Sequence, residues 1–95
     1  MAAHRKLTIE QAETVAADAF AVIAGDEERL YRFLEITGLR PDTIRRAAAL
    51  PGFLAAVLDH VAADEPLLLE VARALSTTPE RVMEARHALS PSDFA

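Results

Sequence analysis

The chain has 95 residues, 52% of them hydrophobic but only 5% aromatic, with three Gly, no Trp, no Cys and a net charge of −5. The absence of Cys excludes disulfides, thiolate metal sites and a cysteine nucleophile. The acidic balance works against non-specific binding to phosphate backbones or anionic lipid. The length suits one domain that buries a modest core without covalent or metal staples.

Ala- and Leu-rich, Gly-poor composition favours helix, because these side chains lose little rotamer freedom there. Thr8-Ile9-Glu10-Gln11 has the pattern of a capping box. Ile9, Ala12, Ala16, Ala19, Phe20 and Ile23 then recur at helical spacing, and Gly25 is a natural stop. Asp26 is placed to cap a second helix, with Glu27 and Glu28 in the first turn, where the helix dipole favours negative charge. Its apolar face is Leu30, Phe33, Leu34 and Ile36, and Thr37-Gly38 ends it.

Pro41 suits the first turn of a third helix, with Ile44, Ala47 and Ala48 inward. Pro51-Gly52 breaks the chain, and Phe53, Leu54, Val57, Leu58 and Val61 form the clearest apolar stripe. Asp64 repeats the role of Asp26 ahead of Leu67, Leu68, Val71, Ala72 and Leu75; Pro66 is tolerable so early in a helix. Thr78-Pro79-Glu80 opens a last helix with Val82, Ala85 and Leu89 inside. These elements predict an all-α fold, a compact bundle of about six short helices. The domain would span 8–89, between flexible ends at 1–7 and 90–95. Phe20, Phe33, Leu34, Phe53, Leu58 and Leu68 are the expected core.

The two halves match at an offset of 38 residues. Asp26-Glu27 falls on Asp64-Glu65, Leu30 on Leu68, Phe33 on Val71, Pro41-Asp42 on Pro79-Glu80 and Ile44 on Val82. Core positions and helix starts agree together, which predicts two pseudo-repeated three-helix units, 15–47 and 53–85. Two copies are too few for a long solenoid, so a closed domain is expected.

The stretch from Asp26-Glu27-Glu28-Arg29-Leu30 through Ile36-Thr37-Gly38-Leu39-Arg40-Pro41 resembles a family of small bacterial proteins known only as a domain of unknown function. Phe53 to Asp59, then Ala63-Asp64-Glu65 and Thr78-Pro79-Glu80-Arg81-Val82, extend the likeness to Leu89. The matching positions are caps, turns and core residues. The resemblance implies a cytoplasmic bacterial helical domain and no particular activity. His60 departs from the more apolar residue expected at its position.

Chemical signals are sparse. Leu34, Gly38 and Ile44 have helix-turn-helix spacing, and Arg40, Arg45 and Arg46 are the candidate nucleic-acid contacts if Pro41 to Ala49 entered a major groove. Any tight helix corner asks for the same spacing. The segment Gly38 to Leu50 carries three Arg and one Asp, weak charge for a groove reader, so nucleic acid is not the expected partner. Asp26-Glu27-Glu28 and Asp64-Glu65 are explained by capping rather than acid–base work. His4, His60 and His87 lack metal-ligand spacing, and His60 reads as a half-exposed helix residue.

Leu67-Leu68-Leu69 cannot all lie on one narrow stripe. Either that helix is buried on two sides, the favoured reading, or a Leu is exposed in a binding patch. Tyr31, Leu67 and Leu69 are therefore the candidate partner contacts. No catalytic residue, cofactor or metal is expected. The longest apolar runs, Ala19 to Ala24 and Phe53 to Leu58, fall far short of the ~20 residues of a membrane span. No apolar stretch follows Met1 to Lys6, so no signal peptide is expected. The expectation is a cytoplasmic, non-catalytic module that binds an unknown protein partner or itself.

Overall fold

The computed structural model describes residues 7–50 and 52–90. Expectations that fall on 1–6, Pro51 and 91–95 lie outside these residues. Among those described, the chain is all-α: α1 (Ile9–Ala24), α2 (Glu27–Thr37), α3 (Ile44–Ala47), α4 (Phe53–Ala62), α5 (Glu65–Ala74) and α6 (Pro79–Leu89). No helix among them is long and apolar enough to cross a membrane.

The helix starts follow local chemistry. The Thr8 hydroxyl accepts from the Gln11 backbone N–H at 3.0 Å, while the Thr8 N–H donates to the Gln11 side chain at 2.9 Å, completing the capping box. Asp26 accepts from the N–H groups of Glu28 and Arg29, Asp64 from that of Leu67, and Thr78 from that of Arg81. Each bond satisfies a donor that has no partner inside its own helix.

Two of the helix ends use the left-handed backbone. Gly38, at φ 77°, closes α2 with its N–H donating to the Leu34 carbonyl. Ser76, at φ 56°, closes the α5 end. There the Thr77 N–H reaches the Ala72 carbonyl and the Ser76 N–H the Arg73 carbonyl, the paired bonds of a Schellman motif. Gly25 stops α1 without that conformation, at φ −78°.

Helices α1, α4 and α6 pack on one another; α5 lies against α4 and α6, and α2 rests chiefly on α1. The face α1 buries is small, Ala12, Ala16 and Ala19, with Ile23 behind them. Small side chains there let neighbouring helices approach closely. Leu7 also packs against the core. The larger core residues are Phe33, Leu34, Phe53, Val57, Leu58, Val61, Leu67, Val71 and Val82. Phe20, Phe33 and Phe53 form a triangle of edge-to-face rings with centroids 5.3–6.1 Å apart, the arrangement the ring quadrupoles prefer.

Several expectations are corrected. The third helix, predicted from Pro41, is a single turn, and no residue in it is buried. Residues 41–43 and 48–50 are turn or bend, the Ala49 and Leu50 N–H groups bonding three residues back. No side chain caps this helix. Leu50 also precedes Pro51, which disfavours continuing the helix. Ala48, expected to face inward, is exposed. Ile9 and Ile36 are exposed, while Phe20 and Leu68 are only partly buried and pack against the core. Asp26 and Asp64 are both caps, and Gly38 and Ser76 are both left-handed, each pair 38 residues apart. The third elements differ, four residues in α3 against eleven in α6.

Candidate functional site: a groove over His60

His60 lies on α4, one position short of the stripe that faces α1 and α6. Burial of Val57, Leu58 and Val61 draws the helix deep into the fold, and His60 goes with them, only 8% exposed. Its ring meets Phe33 edge-on, with centroids 5.1 Å apart. The half-exposed position expected for it is thus corrected. The reason is tertiary: α2 brings Phe33 over that side of α4.

The ring is nevertheless not sealed. No buried side-chain nitrogen or oxygen among the described residues lacks a partner. His60 hydrogen-bonds to no described residue, so its nitrogens reach the water of the groove above it. That groove opens beside the Phe33 contact, where α2 packs more closely on α1 than on α4 or α5. It consists of two joined clefts that share Arg32, His60, Asp64 and Pro66. One, about 330 Å³, lies between the starts of α2 and α5. The other, about 610 Å³, runs along α2 and α4 past Ile36, Ala56 and Ala63.

Burial pulls the His60 pKa below its ordinary 6.5. The Asp64 carboxylate opposes this, and the guanidinium groups of Arg32 and Arg29 add to it. The imidazole is therefore held neutral at physiological pH, with one nitrogen able to donate and the other to accept. Arg29 is tied to Glu70 at 2.6 Å, a bridge that links α2 to α5 across the end of the groove. Asp59 is tied to Arg86 at 2.8 Å. Asp26 and Asp64 both face the groove, but each has an oxygen committed to backbone N–H groups.

The candidate partner contacts separate. Leu67 is 1% exposed and belongs to the core, so it cannot form part of a surface patch in the folded chain. Tyr31 is 61% exposed and Leu69 47%. In the Leu67–Leu69 run one Leu is therefore buried, Leu68 partly so, and one points outward; the helix is not buried on two sides. Arg40, Arg45 and Arg46 are all exposed, and Arg40 pairs with Asp42 at 3.2 Å. They sit on or beside a single helical turn, too short to lie along a major groove as a recognition helix does. Of the six residues only Leu67 borders the groove over His60, at the narrower cleft. The one legible signal of the groove was the unexpected His beside an apolar stripe.

Residues 9–92 match the family described as Protein of unknown function (DUF3572). The chain belongs to this family. Neither curated proteins nor solved structures yield a match to it.

Proposed function

We propose that this DUF3572 member is a non-catalytic protein-interaction module of the bacterial cytoplasm. The observation that carries this reading is the exposure of Tyr31, Ile36 and Leu69 on α2 and α5, the two helices tied by Arg29–Glu70. Single exposed apolar residues are ordinary. Three large ones on a tied pair of outer helices that also border an open groove supply the anchors an interface uses. Catalysis is disfavoured by how the carboxylates are used. Acid–base chemistry asks for two titratable groups in contrasting environments facing one substrate. Here Asp26 and Asp64 cap helices, which leaves His60 without a dedicated partner.

The test is affinity purification from the native cells with wild type and a Tyr31→Ser, Leu69→Ser double variant. Proteins recovered by wild type and lost by the variant support the module. Co-purification that the two substitutions leave unchanged counts against it.

A further inference from the structure

We propose that the groove over His60 takes a segment of a partner protein that carries an aliphatic side chain flanked by Lys or Arg. This rests on the reading of the chain as an interaction module, and adds which surface binds and what chemistry it selects.

His60 is the first observation. A buried polar group lowers stability unless it is hydrogen-bonded, and a Leu in its place would pack against Phe33 without that penalty. The ring is over nine-tenths buried, is bonded to no described residue and opens onto the groove. It therefore offers a fixed donor and acceptor to a backbone or side chain that lies there, displacing water.

The rim charge is the second observation. Arg29 is neutralised by Glu70, and Asp59 by Arg86. Among the described residues Glu28 and Glu65 border the groove with no ion-pair partner, against Arg32 alone as an unpaired base. The Asp26 and Asp64 carboxylates add further negative charge. A cationic segment is favoured there, whereas an acidic peptide, a nucleic acid or an anionic membrane is repelled. The floor is the third. Ile36, 66% exposed, lines the wider cleft together with Ala63 and Pro66. An aliphatic side chain set against them would bury apolar surface on both partners.

The test is selection of a random twelve-residue peptide library on the immobilised full chain. The selected peptides are then titrated by fluorescence anisotropy and by NMR of the His60 ring signals. Enrichment of aliphatic residues flanked by Lys or Arg is expected. Binding should weaken roughly threefold to tenfold in a Glu28→Gln, Glu65→Gln variant, in line with two exposed charge contacts. Ile36→Ser should weaken it further, and the His60 ring signals should shift on binding. All three substituted residues are exposed, so these variants keep the fold. Acidic or uncharged consensus peptides would overturn the proposal, as would binding that leaves the His60 signals in place. Dependence on Tyr31 and Leu69 but not on the groove would keep the interaction module and reject this site. Self-association in sedimentation that the Arg45→Ala, Arg46→Ala and the Glu28→Gln, Glu65→Gln variants each abolish would assign the groove to a second copy of this chain and reject a separate partner.

Discussion

Gly38 and Ser76 hold the same left-handed backbone, at φ 77° and 56°, each just past the end of a helix. Glycine adopts that conformation freely, whereas an L-residue is strained by about 1–2 kcal/mol. Nothing lies within 4 Å of a methyl built on Gly38, so only backbone strain opposes a side chain there. Gly38→Ala is expected to lower stability by about 1–2 kcal/mol. Ser76→Gly is expected to raise it by less than about 1 kcal/mol, the relief being partly offset by the freer unfolded chain. Urea denaturation of both variants measures this; a stabilised Gly38→Ala would contradict the assigned conformation.

Phe33 should be the most sensitive single position. It is fully buried and touches the rings of Phe20, Phe53 and His60. Phe33→Ala is expected to cost about 3–5 kcal/mol, a large part of the ~5–15 kcal/mol that holds a typical domain together. A denaturation midpoint unchanged from wild type would show that the ring is not in the core.

Leu67 and Leu69 should behave as opposites despite their shared helix. Leu67→Ala removes a buried side chain and is expected to cost about 2–5 kcal/mol. Leu69→Ala changes an exposed one and should stay within about 0.5 kcal/mol. Equal losses in thermal or chemical denaturation would mean that α5 is rotated from the face described.

Stability should fall on mild acidification. The unfolded imidazole of His60 titrates near 6.5, and the folded one below it because burial disfavours the charged ring. Between those values the unfolded chain binds more protons than the folded one. The contribution of neutral His60 is thus fully present above 6.5 and is lost as pH drops through the folded pKa. Urea titrations of wild type and His60→Leu at about pH 7.5 and pH 5.5 isolate it. Wild type should lose more stability than the variant, and parallel losses would refute the buried neutral ring.

The protein is not expected to bind DNA through Arg45 and Arg46. Non-specific affinity rises with the number of phosphate contacts, and a one-turn helix presents few. Fluorescence anisotropy with random-sequence duplex at low salt should show no micromolar binding, for wild type or for Arg45→Ala, Arg46→Ala. Wild-type binding that the double variant loses would restore the nucleic-acid reading.

Four of the helix starts were legible because their caps are local. Thr8, Asp26, Asp64 and Thr78 each bond to backbone two or three residues ahead, so the amino-acid order alone sets the contact. The apolar spacing in α4 and α6 was legible for the same reason, since 3.6-residue periodicity is a property of the helix itself. Periodicity says which residues share a face, however, and not what covers it. Leu67 and Leu69 are equally apolar, and only the packing of α5 on α4 and α6 buries one and exposes the other. Pro41 offered a good helix start, but a third helix also needed a cap and a buried face, and the fold supplied neither. His60 sits beside an apolar stripe, where sequence allows either burial or exposure. The placement of Phe33 from α2 covers it, and the gap between α2 and α5 leaves its nitrogens open. Local chemistry determined the elements; the groove was decided by how helices distant in sequence stand apart.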